Sequence, residues 1–67
     1  MNSVSILIEQ VEGEEPRLTV YGLLGDAVDN ASELACLYGW EKVDGLMRWE
    51  DPNTSVNYIE VQAHGVQ

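Results

Sequence analysis

The sequence predicts a small α+β fold: one α-helix packed on an antiparallel β-sheet of three to five strands, in the order ββαβββ. Three observations carry that expectation. One segment alone, between Leu24 and Tyr38, places apolar residues at 3- and 4-residue spacings, the period of an amphipathic helix. The segments on either side are β-branched, alternate with period two, and are separated by short turns rich in Gly, Pro and Asp. The chain has 67 residues, enough for one domain, residues 1–67, with a thin core.

The first strand is expected in Val4–Val11, with Val4, Ile6 and Ile8 on its inner face. Glu12-Gly13-Glu14-Glu15-Pro16 is a polar turn, after which Arg17–Tyr21 resumes the alternation with Leu18 and Val20 inward. The two runs make an antiparallel hairpin. The helix is expected from Ala27 to Tyr38, with Asp26 as its N-cap and Asp29 completing an acidic capping box. Gly39 follows where a left-handed C-terminal residue belongs.

The segment Trp40–Trp49 is centred on Asp44-Gly45, the signal of a two-residue type I′ hairpin. That register sets Val43 opposite Leu46, Glu41 opposite Arg48 and Trp40 opposite Trp49. Asp51-Pro52-Asn53-Thr54 is a further turn. The last run, Ser55–Ala63, breaks its alternation between Tyr58 and Ile59, which predicts a bulge or a change of buried face there. The same order of elements also fits a β-grasp, the rival architecture.

Composition bounds the function. Twelve Asp and Glu against three Lys and Arg give a net charge of −9, yet 45% of the residues are hydrophobic, unlike a disordered acidic tail. One Cys cannot build a disulfide framework or a Cys-rich zinc site. No apolar run approaches the ~20 residues of a membrane span, and no signal-peptide pattern opens the chain. A soluble protein of the cytoplasm is expected. Calcium-loop, phosphate-loop and nucleophile-elbow patterns are missing, and Cys36 and His64 do not suggest a nucleophilic pair. No enzymatic activity, cofactor or metal is expected. Trp40 and Trp49 could stack on bases, but three cations cannot neutralise a nucleic-acid backbone, so direct nucleic-acid binding is not expected.

The charge itself is the informative feature. Residues 1–22, 23–39 and 40–67 each carry −3, so the excess belongs to the whole body. Asp26, Asp29 and Glu33 fall at i, i+3 and i+7, on the helix side away from its apolar face, with no Lys or Arg between them. Glu12, Glu14 and Glu15 cluster in the first turn. Capping and the helix dipole account for Asp26 and Asp29 but not for Glu33. These six carboxylates are the candidate partner-binding residues, and their natural partner is a basic protein surface reached by steered association. Net charge of this size also favours a monomer.

With its short chain opening at Met1, its excess of acids and its lone acidic helix Asp26-Ala27-Val28-Asp29-Asn30-Ala31-Ser32-Glu33, the sequence resembles the small phage-encoded anti-CRISPR proteins. It looks most like the inhibitors of type I systems, type I-C among them. The resemblance implies a DNA mimic that occupies the basic DNA-binding site of a CRISPR-Cas effector such as Cascade inside the bacterial host. The alternative is a β-grasp-like interaction adaptor, which would display an apolar patch around Leu37, Met47 or Tyr21. A sulfur carrier of that fold would end in Gly-Gly, whereas this chain ends Ala63-His64-Gly65-Val66-Gln67.

Overall fold

Five strands hydrogen-bond in the spatial order β2-β1-β5-β4-β3, every neighbouring pair antiparallel, and one helix crosses a single face of the sheet. The strands are β1 (Asn2–Gln10), β2 (Arg17–Tyr21), β3 (Glu41–Lys42), β4 (Arg48–Asp51) and β5 (Thr54–Val66); the helix is α1 (Leu24–Tyr38). The structure, a computed structural model, describes residues 2–66, so Met1 and Gln67, used in reading the chain ends, lie outside the described residues. The element order is the expected ββαβββ. A β-grasp would pair its first and last strands in parallel. Here β1 and β5 are antiparallel neighbours from Asn2↔Val66 to Gln10↔Tyr58, so the β-grasp alternative does not hold.

α1 approaches the sheet through an alanine seam. Ala27, Ala31 and Ala35 repeat every four residues and are buried, and side chains this small let the backbone lie close to the strands. The sheet supplies the bulk: Leu7, Trp49, Ile59 and Val61 complete the core, with Val28, Leu34, Tyr21 and Trp40 packed around it. Ile59 is the largest side chain fully withdrawn from solvent.

This arrangement inverts the face expected for the first hairpin. Ser5, Leu7 and Glu9 point at the helix, while Val4, Ile6 and Ile8 are only half-buried on the opposite face. Their β2 partners Leu18 and Val20, expected inward, are 65% and 64% exposed. The run Ile6-Leu7-Ile8 is apolar on both faces, so alternation alone cannot choose between them, and a one-residue choice flips every side chain. Leu7 takes the inner position because it joins Val61 across the β1–β5 pair beneath the alanine seam.

The helix begins one turn earlier than expected. Leu23 is its N-cap, in extended conformation and without a side-chain cap bond, so Asp26 lies in the first turn and is not the cap. Its charge still complements the helix dipole there. The C-terminus is as expected: Gly39 adopts φ 76°, its N–H donates to the Cys36 carbonyl (3.3 Å), and the Trp40 N–H donates to the Ala35 carbonyl (2.9 Å). Those two bonds form a Schellman motif.

The second hairpin is displaced by two residues from its expected register. Glu41 faces Glu50 and Lys42 faces Trp49, and the Val43 N–H donates to the Arg48 carbonyl at 2.8 Å. The Leu46 N–H donates to the Val43 carbonyl across Asp44-Gly45, and only Gly45 has positive φ (79°). A type I′ turn needs positive φ at both central residues; this combination is that of a type II turn. Trp40 consequently does not face Trp49. It packs on Tyr38, ring centroids 4.7 Å apart, while Trp49 is buried opposite Ile59.

No bulge separates Tyr58 from Ile59, since β1 and β5 stay in one register through both. Tyr58 and Ile59 simply point to opposite faces of the sheet. The irregularity lies between Glu50 and Asp51, where β5 carries extra residues before Thr54 closes on Asp51.

Candidate functional site

The six candidate carboxylates are all exposed. Asp26, Asp29 and Glu33 follow the outer side of α1, opposite Ala27, Ala31 and Ala35. At ~1.5 Å rise per residue they spread over roughly 10 Å of helix, about one charge per 5 Å, compared with one phosphate per ~3.4 Å along a DNA strand. Among the described residues the one side-chain bond at this stripe runs from Asn30 Nδ2 to the Asp26 backbone carbonyl (3.0 Å), so the exposed Asp26 carboxylate takes no part in it.

Glu12, Glu14 and Glu15 occupy the β1–β2 turn at the other end of the helix. The turn is held by its own backbone, Glu14 N–H to the Val11 carbonyl (3.0 Å), and by Gln10 Nε2 donating to the Glu14 carbonyl (3.1 Å). It is also fastened, through the neighbouring strand β5, to β4. The Glu12 N–H donates to Asn57 Oδ1 (2.6 Å), and Asn57 Nδ2 donates to Asp51 Oδ2 (3.1 Å). Asp51 in turn accepts the Asn53 N–H at 2.9 Å. The Asn53 N–H and the Asn57 amide hold the Asp51 carboxyl below the ordinary aspartate range.

The structure therefore gathers the helix acids into one group and the turn acids into another. Between them lie Leu37, 80% exposed, and Tyr38. Glu14 and Glu15 join Glu9, Val11, Arg17 and Tyr38 around a polar cleft of about 90 Å³, room for a few waters and well below the ~300 Å³ of a typical small-molecule site. Glu9 was not among the expected site residues. It is only 7% exposed on the helix side of β1, where it accepts the Tyr38 hydroxyl and faces Arg17 across the hairpin. That bond to Glu9, then burial, raises the Tyr38 phenol above its ordinary range. Its sequence signal is the period Ser5-Leu7-Glu9, which becomes legible only once Leu7 is known to face inward.

The cations are placed away from the helix stripe. Arg48 Nε donates to Glu50 Oε2 (2.6 Å), its Nη1 reaches Glu60 Oε1 (3.5 Å), and its guanidinium lies 3.9 Å from the Tyr58 ring centre. Burial disfavours that charge, but Glu50 and Glu60 outweigh burial and raise the Arg48 pKa. The expected Arg48–Glu41 pair does not form, because the hairpin register moved. Lys42 and Arg17 sit on the two edge strands. Among the described residues the ion pairs are those two of Arg48, so none of the six candidate acids is neutralised by one.

The residues weighed for chemistry stand apart. Cys36 is exposed on the outer side of α1, and His64 lies on the opposite face of the sheet, bonded to the Gln62 amide (3.1 Å). Among the described residues, no group of three or more His, Cys, Asp and Glu converges as metal ligands do. No described helix is long and apolar enough to cross a membrane. The apolar residues weighed for an adaptor are dispersed: Leu37 on the helix, Met47 in the β3–β4 loop, and Tyr21 half-buried on the opposite edge strand.

Comparison with protein-family models, curated proteins and solved structures finds no match to this chain.

Proposed function

We propose that this protein is an acidic inhibitor that mimics DNA and occupies the basic DNA-binding surface of a bacterial CRISPR-Cas effector. The role is binding without catalysis, in the cytoplasm of the host cell where such effectors act. One observation carries the reading: Asp26, Asp29 and Glu33 form an exposed stripe that makes no ion pair among the described residues, on a helix that contains no cation. Such a stripe repels itself and contributes little to folding, since like charges at i, i+3 and i+4 destabilise a helix by a few tenths of a kcal/mol. Its benefit lies in a partner's field. The body measures 40 × 24 × 18 Å, a girth comparable to that of a duplex. Its net charge is far less dense than the one per ~1.7 Å of duplex DNA, so the helix stripe must supply most of the local attraction.

Competition tests the reading. A purified type I effector complex is bound to labelled target duplex and titrated with this protein at several salt concentrations. Displacement of the duplex is expected, with an association rate that falls as the Debye length shrinks from ~30 Å at 0.01 M salt to ~8 Å at 0.15 M. Failure to displace the duplex from any basic effector at low salt rejects the DNA-mimic reading.

A further inference from the structure

We propose that two copies of this chain pair through their β2 edges, antiparallel about a two-fold axis at Thr19, to join their sheets into one of ten strands. The two edges of the sheet are built differently. β3 has two residues, Glu41 and Lys42, both charged and exposed, the form of an edge protected against pairing. β2 has five, Arg-Leu-Thr-Val-Tyr, with no acid among them, whereas each of the other four strands carries at least one. In a protein of net charge −9, this is the edge whose own strand sets no carboxylate in the seam, Glu14 and Glu15 lying beyond its Arg17 end.

The strand is also complementary to itself. A two-fold at Thr19 sets Leu18 of one copy opposite Val20 of the other and the reverse, with Arg17 opposite Tyr21 at each end. Leu18 and Val20 are 65% and 64% exposed and lie beside Ile8 and Ile6 on the face that the helix leaves open. Pairing continues that aliphatic band from one sheet to the next and shields it. Arg17 meets an aromatic ring, a favourable neighbour for a cation. No like-charge pair arises anywhere in the register, and the contact is isologous, so it closes at two copies.

The rest of each body is acidic and repels its twin. Screening that repulsion strengthens the dimer, so dimerisation rises with salt, opposite in sign to capture by a basic partner.

Sedimentation of the full chain at low and high salt tests this. The expected result is a species of twice 7.5 kDa whose fraction grows with protein concentration and with salt. Leu18→Lys with Val20→Lys lowers the net negative charge yet weakens the dimer by about tenfold or more, because cations now face each other across the seam. A second measurement does not depend on that variant folding. In a Cys36→Ser background, exposed Thr19→Cys brings two thiols face to face at a Cα separation of ~4.5–5.5 Å, inside disulfide range. Mild oxidation is expected to cross-link it much faster than Leu18→Cys, whose counterpart is displaced along the strand. A 7.5 kDa monomer at all concentrations and salts, or equal cross-linking at positions 18 and 19, overturns the proposal.

Discussion

The Tyr38 hydroxyl donates to Glu9 Oε1 at 2.5 Å, tying the last residue of the helix to a carboxylate that β1 buries beneath it. No other side-chain hydrogen bond to Glu9 occurs among the described residues. The contact fixes the C-terminal end of α1 over the first hairpin, and so sets the distance between the helix acids and the turn acids.

Tyr38→Phe is therefore expected to destabilise the protein by about 1–2 kcal/mol, the cost of leaving a buried carboxylate without its donor. The ring and its packing on Trp40 are kept. Urea denaturation measures the loss. The phenol pKa is raised in the folded state, so its contribution is complete below the unfolded phenol pKa and is lost as pH rises through the folded one. Wild-type stability should fall in that alkaline window, and Tyr38→Phe should remove this component. Tyrosinate absorbance should place one tyrosine above the others.

Asp51 gives the opposite sign at the acid end. Its folded pKa is lowered by the Asn53 N–H and the Asn57 amide. The stability it contributes is present above the unfolded aspartate pKa and is lost as pH falls through the folded value. Asp51→Ala should therefore lower stability at neutral pH and have little effect below both values. It should also loosen the β1–β2 turn, because Asn57 links Asp51 to the Glu12 N–H. Faster amide hydrogen exchange at Glu12 would report that release.

The turn at Asp44-Gly45 separates the two hairpin registers. In a type II turn the first central residue has negative φ and accepts proline, whereas type I′ requires positive φ there, which proline cannot adopt. Asp44→Pro is expected to be neutral or to stabilise by up to about 1 kcal/mol. Gly45→Ala should cost about 1–2 kcal/mol, because φ 79° is left-handed. Thermal unfolding of both variants decides; a large loss from Asp44→Pro would restore the type I′ register.

Most of the fold was legible in the sequence, and the misreadings share a cause. Helix period, Gly39 and the turn residues located the elements because each is a local signal. Facing and register are not local. Ile6-Leu7-Ile8 satisfies either face of β1, and the choice falls to the alanine seam arriving from elsewhere in the chain. Asp-Gly suits more than one turn, and β5 decides between them by pairing Trp49 with Ile59. Exposure of the six acids followed from charge alone, whereas their division into two groups depends on the direction in which α1 crosses the sheet. Glu9 escaped notice for the same reason as Leu7.

The division of the acids yields the most decisive test. Asp29→Lys with Glu33→Lys changes exposed side chains on the outer side of α1, away from the buried alanines. The fold should survive, since the changes relieve like-charge repulsion and, with α1 starting at Leu24, both positions lie beyond the first turn where an acid caps the helix or complements its dipole. Glu14→Lys with Glu15→Lys alters the charge equally, in the turn beside the C-terminal end of α1. If net charge alone attracts the basic partner, both double variants weaken competition with target duplex to the same degree and shift its salt dependence alike. If the helix stripe is the surface that stands in for phosphates, the helix pair loses far more, about tenfold or more per reversal, because each attraction at contact becomes a repulsion. The turn pair then changes mainly the association rate. Glu33→Lys alone should already lose about tenfold, and it reads binding directly, since neither capping nor the dipole gives Glu33 a role in folding. A folded helix variant that competes as well as wild type moves the contact to Glu12, Glu14 and Glu15, and the turn pair then becomes the disabling change.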